Sequence, residues 1–300
     1  MFLALCVLLV VFPAQDDYHW SKIYAIEGVP RLRVETGDAN IHVTPRDAKS
    51  IEAKVTSQRI KIGGDGIQIL EHQAGDSVEM EVRFPRRWFQ MNFRSRRVDV
   101  DLYVPAHTNL DIRTGDGNVD LRDVNGEITL RSGDGHLVLA NTEGSLRATT
   151  GDGPVELRTC RGDVTLKTGD GKVNVENADG NMDVETGDGK VRVSGRFNAL
   201  RVKTGDGGVE VDALRGSKLL EAWTLSTGDG GLTLRVPDDL AADVDLHTGD
   251  GKIDLGVPVA ISGRLGEKTI KGQLNGGGKL LTLRTGDGSI HLDKLRNSGS

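Results

Sequence analysis

The sequence predicts an all-β protein, a right-handed single-stranded parallel β-helix (β-solenoid) with 18-residue coils. Three observations lead to this prediction: a tetrapeptide recurs at a fixed step, apolar and polar residues alternate between its copies, and one copy is too short to bury its own apolar face. The tetrapeptide is Thr/Ser-Gly-Asp-Gly, and its regular copies begin 18 residues apart. They start at Thr114, Ser132, Thr150, Thr168, Thr186 and Thr204.

Each 18-residue unit contains two similar halves, and each half is a turn followed by alternating polar and apolar residues. This alternation is typical of a strand with one buried face. Stacked coils would bury these faces between two parallel sheets, and the rule for parallel crossovers predicts the right hand. The predicted inward residues are Val119, Leu121, Ile128, Leu130, Leu137, Leu139, Leu146, Val155, Leu157, Val164, Leu166, Val173, Val175, Met182, Val184, Val191, Val193, Leu200, Val202, Val209 and Val211.

The tetrapeptide continues less regularly towards both ends of the chain. A partial copy begins at Thr36. Full copies recur at Thr227, Thr248 and Thr285, after steps of 23, 21 and 37 residues. The last step is close to two repeats, which predicts an additional coil whose corner has degenerated.

Each residue type of the tetrapeptide has a predicted role at a tight corner. The glycines would supply positive φ, and the Thr hydroxyls would stack on one another as a ladder. The Asp residues would form a column, either accepting hydrogen bonds from backbone N–H groups of their own turn or bridged by Ca²⁺. The first alternative is favoured, with no metal ligand assigned, because Val119 and Leu137 stand where the calcium-binding nonapeptide repeat has its Asp ligand. These structural corner residues are Asp116, Asp134, Asp152, Asp170, Asp188 and Asp206.

The N-terminus carries an apolar run, from Phe2 to Phe12, that is too short to span a bilayer but fits the core of a secretory signal peptide. It predicts export to the periplasm, the cell surface or the medium. Cys6 would be removed with this segment, so Cys160 would remain alone and no internal disulfide is expected. We divide the chain into a signal peptide (1–14), an irregular N-terminal part of the solenoid with longer loops (15–110), a regular solenoid (111–296) and a disordered tail (297–300).

The segment 83–97 differs from the rest of the chain in composition. It holds six Arg and four aromatic residues without an acidic one, in a chain with a net charge of −6 and only 4% aromatic residues. It predicts a site for an anionic envelope polymer, a membrane surface or another protein, whereas the acidic whole argues against specific nucleic-acid binding. The alternative is that its aromatic residues cap the solenoid while its Arg heads pair with nearby acids. The candidate ligand-binding residues are Arg83, Arg86, Arg87, Trp88, Phe89, Phe93, Arg94, Arg96 and Arg97.

Catalytic motifs are not apparent. No His pair has metal-ligand spacing, no Gly-x-Ser-x-Gly elbow is present, and the Gly-rich stretches lack the Lys of a phosphate loop. The outward carboxylates Asp120, Glu156 and Glu210 do not stand out as a catalytic pair. We therefore predict no catalytic residues and no enzymatic activity.

Three parts of the sequence carry a family resemblance: Val98–Pro105 with Leu110–Gly117, Val236–Gly251, and Gly276–Leu292. In these parts, over roughly residues 30–293, the chain resembles the bacterial adhesin-like family of β-strand-repeat proteins, DUF4097. The resemblance implies a β-helix that is exported or associated with the cell envelope, with no established catalytic residues. We therefore expect a non-catalytic exported scaffold or surface-interaction protein. A calcium-binding module using the Asp column is the alternative, and a carbohydrate-active enzyme comes third.

Overall fold

The structure, a computed structural model, describes residues 17–85, 97–261 and 266–295. Within these residues every regular element is a strand. None of the described residues forms a helix long and apolar enough to cross a membrane. The strands are β1 (His19–Ala25), β2 (Arg31–Thr36), β3 (Asn40–Pro45), β4 (Ser50–Ser57), β5 (Gln68–Ala74), β6 (Ser77–Arg83), β7 (Val98–Val104), β8 (Asn109–Arg113), β9 (Val119–Arg122), β10 (Asn125–Arg131), β11 (Leu137–Thr149), β12 (Val155–Lys167), β13 (Val173–Glu185), β14 (Val191–Lys203), β15 (Val209–Ala213), β16 (Trp223–Thr227), β17 (Leu232–Val236), β18 (Ala242–Thr248), β19 (Ile253–Leu255), β20 (Val259–Ile261), β21 (Thr269–Leu274), β22 (Leu280–Thr285) and β23 (Ile290–Lys294).

The strands pair in two series, which we call ladder A and ladder B. Ladder A runs β1-β4-β7-β3-β9-β11-β12-β13-β14-β15-β17-β23-β19. Ladder B runs β5-β6-β2-β8-β10-β11-β12-β13-β14-β16-β22-β18-β21-β20. The 13-residue strands β11 to β14 contribute to both ladders. In the middle of the stack the pairing is parallel and joins residues 18 apart, as Ile128 with Leu146.

The apolar residues of both ladders form one continuous core. All the predicted inward residues lie in it, and each is at most 4% exposed, so the prediction of the buried face is confirmed. The 23-residue step between Thr204 and Thr227 places its additional residues in the connection from β15 to β16. Phe197 and Trp223 pack edge to face there, with ring centroids 6.1 Å apart, and fill the core of this wider coil.

Each regular coil turns a second time, where the chain passes from ladder A back to ladder B. This second corner begins with a residue in the left-handed conformation, such as Asn141 with φ of 53° or Thr159 with φ of 57°. Three residues later comes a glycine with positive φ, such as Gly144 at 115°. The tetrapeptide glycines do not have positive φ. The prediction that they supply it is therefore wrong, because this conformation is used at the other corner.

Thr159 is the residue least suited to its place in a second corner. A β-branched side chain is strained in the left-handed conformation, which Asn tolerates because its short side chain can hydrogen-bond locally. We expect Thr159→Asn to raise the free energy of unfolding by about 1 kcal/mol, measured by urea unfolding followed by circular dichroism. Thr165→Asn, within strand β12, should leave that free energy unchanged or lower it. Equal effects of the two substitutions would contradict the assignment of strain to residue 159.

The coils do not stack in sequence order at the C-terminal end. Strand β22 lies between β16 and β18, and β23 lies between β17 and β19. Strands β22 and β23 are therefore inside the stack, and strands β18 to β21 form its end. Strand β21 pairs antiparallel with both β18 and β20. The prediction of a degenerate coil within the 37-residue step is wrong, because strands β20 and β21 form an antiparallel cap there.

The N-terminal end is also interleaved. Strand β2 lies between β8 and β6, and strand β3 lies between β9 and β7. Beyond β7, strands β4 and β1 add in antiparallel pairing, and β5 adds antiparallel to β6. Antiparallel strands thus lie at both ends of the stack and cover the parallel coils between them.

Candidate functional site

The tetrapeptide corners are joined to one another through their Thr hydroxyls. The Thr168 Oγ1 lies 3.1 Å and 2.9 Å from the carbonyl oxygens of Gly151 and Gly153 in the preceding coil, to which it donates. It also accepts a hydrogen bond from the N–H of Gly171 at 3.2 Å. The Thr side chains repeat coil by coil as predicted, but the hydroxyls of Thr150, Thr168, Thr186 and Thr204 bind the backbone of the preceding coil and not one another.

The tetrapeptide glycines are required by the close approach of successive corners. The N–H of Gly133 donates to the carbonyl of Gly115, one coil earlier. A Cβ on Gly171 would overlap the carbonyl oxygen of Gly153, and one on Gly169 would overlap the carboxylate of Asp152. Glycine is therefore needed here for space between backbones.

The predicted Asp column is present as a line of hydrogen-bonded carboxylates on the surface. The N–H of Asp134 donates to Asp116 Oδ1 at 3.2 Å, and the N–H of Asp152 donates to Asp134 Oδ1 at 3.1 Å. The donor is the next coil's Asp and not, as predicted, the residue's own turn. The same bond continues through Asp170, Asp188 and Asp206.

The column also carries repulsion between like charges. The carboxylates of Asp188 and Asp229 raise the pKa of Asp206 above its ordinary value. A folded-state pKa above the unfolded one means that the contribution of Asp206 to stability is fully present below the unfolded pKa. That contribution is lost as the pH rises through the folded pKa. The hydrogen bonds between coils therefore hold carboxylates together against their charge.

Calcium binding by the column is tested by thermal unfolding. Calcium takes six to eight oxygen ligands, whereas each Asp of the column has one oxygen engaged by a backbone N–H and the next carboxylate lies about 4.8 Å away. In residues 17–85, 97–261 and 266–295, no three His, Cys, Asp or Glu side chains come together as ligands for a metal ion. We expect the same melting temperature in excess calcium and in excess chelator. A higher melting temperature with calcium would assign the column to the ion.

The structure describes only the flanks of the Arg/aromatic segment. The predicted site residues Arg86, Arg87, Trp88, Phe89, Phe93, Arg94 and Arg96 lie outside the described residues, as does the predicted signal peptide 1–14. Arg83 pairs with both carboxylate oxygens of Glu81, at 2.6 Å and 2.8 Å. Arg97 donates to Asp99 at 2.9 Å, and these contacts raise the pKa of both guanidinium groups.

Phe84 lies beside the first, partial copy of the tetrapeptide, at the N-terminal end of the stacked corners. Its side chain packs against the core, and its ring is so close to Gly37 that a Cβ on that glycine would collide with it. Residues 84–97 join β6 of ladder B to β7 of ladder A, as the tetrapeptide does in the neighbouring coils. Phe84 therefore packs against the partial copy of the tetrapeptide, at the N-terminal end of the column.

The outward carboxylates of ladder A are neutralised by neighbouring cations. Asp120 accepts two hydrogen bonds from Arg122, both at 2.8 Å. Glu210 accepts hydrogen bonds from Lys190 and Arg192, at 2.7 Å and 3.0 Å, and these bonds lower its pKa. A carboxyl group with a lowered pKa stays ionised at neutral pH and is poorly suited to act as a general acid.

A groove along the second corners was not foreseen from the sequence. We call it the second-corner groove, and its volume is about 360 Å³. The sequence does contain a pattern that marks the second corners. Asp, Asn or Thr recurs every 18 residues, and each is followed three residues later by Gly. The groove is lined by Asn125, Asn141, Thr142, Glu143, Thr159, Cys160, Arg161, Asn177, Asp179 and Arg196. Burial raises the pKa of the Cys160 thiol to about 11, so the thiol stays protonated and unreactive.

Several solved structures are similar to this chain at low sequence identity. A putative cell adhesion protein from Clostridium sporogenes is 14% identical, with a TM-score of 0.22, and the match covers 92% of this chain and 99% of that one. A putative lipid binding protein from Parabacteroides distasonis is 12% identical, with a TM-score of 0.42 and coverage of 92% and 97%. A putative adhesin from Bacteroides fragilis is 10% identical, with a TM-score of 0.33 and coverage of 92% and 98%.

Comparison with families gives a clearer result. No sequence among the curated proteins matches the chain. The model of the Toastrack family, DUF4097, matches residues 29–293 and thus covers almost the whole of the two ladders. The chain belongs to the Toastrack DUF4097 family.

Proposed function

We propose that the protein is a non-catalytic, exported, adhesin-like scaffold of the bacterial cell envelope, built as a right-handed β-helix with 18-residue coils. The pairing of residues 18 apart in β10 to β13 supports the coil length, and the rule for parallel crossovers supports the hand. The apolar run at the N-terminus supports export. The pairing of outward carboxylates with cations supports a scaffold over an enzyme.

The observation that carries the proposal is the composition of the segment 83–97. It concentrates six Arg and four aromatic residues in fifteen positions without an acidic residue. Guanidinium groups bind carboxylate, sulfate and phosphate through bidentate hydrogen bonds. Aromatic rings stack on sugars. We propose that this segment binds an acidic envelope polysaccharide. A membrane surface or another protein is the alternative partner.

Replacement of Arg86, Arg87, Arg94 and Arg96 by Ser tests the segment. The change removes four positive charges from it, so we expect the variant to elute from immobilised heparin at a clearly lower salt concentration than the wild type. The measurement is the salt concentration at the elution peak, repeated as co-sedimentation with anionic liposomes. Loss on liposomes without loss on heparin would transfer the proposal to a membrane surface.

The control replaces four exposed Arg of the ladders, namely Arg122, Arg147, Arg158 and Arg201. It removes the same net charge from the outer surface, so any loss from overall charge appears in both variants. If both variants elute at the same salt concentration, the segment is not a binding site. Its aromatic residues would then serve to cap the solenoid, as Phe84 does against Gly37.

A further inference from the structure

The second-corner groove contains a polar group that the fold leaves unused. Thr142 is 5% exposed, and its Oγ1 has no hydrogen-bond partner among the described residues. Its neighbours in the ladder are apolar or weakly polar: Cys160 pairs with it in β12 and Ala178 follows in β13. An unsatisfied buried hydroxyl costs about 1–3 kcal/mol. Thr142 lines the groove, but its Oγ1 is closed to solvent, so a bound group would supply the missing partner only after the Thr142 side chain rotates towards the groove.

The charges along the groove alternate and cancel. Glu143, Arg161, Asp179 and Arg196 follow one another in register across four coils. Asp179 lies 3.7 Å from Arg161 and 2.5 Å from Arg196, and so holds both guanidinium groups in place. Two acids and two bases leave the groove without net charge, which favours neither a polyanion nor a polycation.

The other lining groups are amides, hydroxyls and the buried Cys160 thiol. Asn125, Asn141 and Asn177 offer both donors and acceptors, and none of the lining residues is aromatic or large and apolar. A lipid or an apolar peptide side chain would find no matching pocket. A sugar hydroxyl both donates and accepts, so a row of them can satisfy carboxylate, guanidinium and amide together.

We propose that the second-corner groove binds a neutral oligosaccharide lying along the axis of the stack. The four coils of the charged row span about 14 Å at the usual spacing between strands, which accommodates a short run of sugar rings. This site shares no residue with the segment 83–97 and takes a ligand of different charge. It can therefore exist whether or not that segment binds an acidic polymer.

Affinity electrophoresis in gels that contain a neutral polysaccharide tests the groove. The probes are soluble starch, a mixed-linkage glucan, xylan freed of acidic substituents and a glycol chitin. We expect at least one of them to slow the wild-type protein, and Arg161→Ala to weaken this retardation about tenfold, as for the loss of one good hydrogen bond. Asn141→Gly with Asn177→Gly, which keeps the left-handed backbone accessible, should weaken it by a similar factor.

Arg158→Ala is the matched control. Arg158 and Arg161 are three residues apart, have exposed fractions of 63% and 66%, and each lies near one acid. Relative to its own mobility in a gel without polysaccharide, the control should be retarded as much as the wild type in every gel. Absence of retardation of the wild type by all four polysaccharides would overturn the proposal, as would equal loss in the two Arg variants. The heparin elution of all these variants reports separately on the segment 83–97.

Thr142→Val separates binding from stability. Valine has the same shape without the hydroxyl, so the variant should unfold at the same or a higher denaturant concentration, while its retardation falls about fivefold or more. A structural role of the hydroxyl would instead lower the unfolding midpoint and leave the retardation unchanged. That outcome would overturn the proposal for this residue.

Discussion

Gly207→Ala is expected to lower the free energy of unfolding by about 3 kcal/mol or more. A Cβ on Gly207 would overlap the carbonyl oxygen of Gly189 in the preceding coil. That carbonyl cannot move away freely, because the corners are joined by bonds such as the one from the Gly205 N–H to the Gly187 carbonyl. The coil would have to separate from its neighbour at this edge. Urea unfolding followed by circular dichroism measures the effect.

Gly208→Ala is the control for this prediction. The neighbouring glycine has ordinary φ, and a Cβ on it would lie 3.6 Å from the nearest atom, the carbonyl oxygen of Gly231. It should change the free energy of unfolding by no more than about 0.5 kcal/mol, and the lower entropy of the unfolded chain favours a small gain. Similar losses from the two substitutions would mean that the spacing between corners is not what requires glycine.

Ending the chain at residue 278 is expected to destabilise the whole C-terminal third. The shortened chain lacks β22 and β23, whose Leu281, Leu283, Ile290 and Leu292 are fully buried. Removing four such side chains costs on the order of 10 kcal/mol. Residues 242–274 would also lose the strands that join them to β16 and β17. Amide hydrogen exchange should therefore show these residues unprotected.

A chain that ends at Leu295 is the control and should unfold like the full chain, because it keeps both strands. One outcome would contradict the expectation. If β18 and β19 re-paired directly with β16 and β17, the exchange protection of 242–274 would remain. The shortened chain would then behave as a stack with one coil fewer.

The regular part of the fold could be predicted because the sequence repeats there. A fixed step and strict alternation determine which residues pair and which are buried, as with Ile128 and Leu146. The order of the coils at the ends could not be predicted in this way. The corners at Thr227, Thr248 and Thr285 have nearly the same sequence. The local sequence therefore does not indicate that the Thr285 corner lies between the other two in the stack.

The chemistry of the corners was predicted in kind but not in detail. The sequence identified Thr168, Asp170 and the glycines as a structural unit, yet their partners lie in the preceding coil, 15 or more residues away. Single-residue preferences favoured the common roles of turn residues. The second turn of each coil was predicted, but its left-handed backbone was not, because Asn141 and Thr159 are different residue types with the same backbone conformation.

The positions of β1 and β23 predict that the molecule resists a pulling force differently at its two ends. Among the described residues, strand β1 pairs with β4 on one side only, whereas β23 is held between β17 and β19. A force applied at the N-terminal end would peel β1 away one hydrogen bond at a time. A force at the C-terminal end would have to shear β23 past two neighbours at once. A protein tethered by its C-terminal end would therefore resist pulling better than one tethered by its N-terminal end.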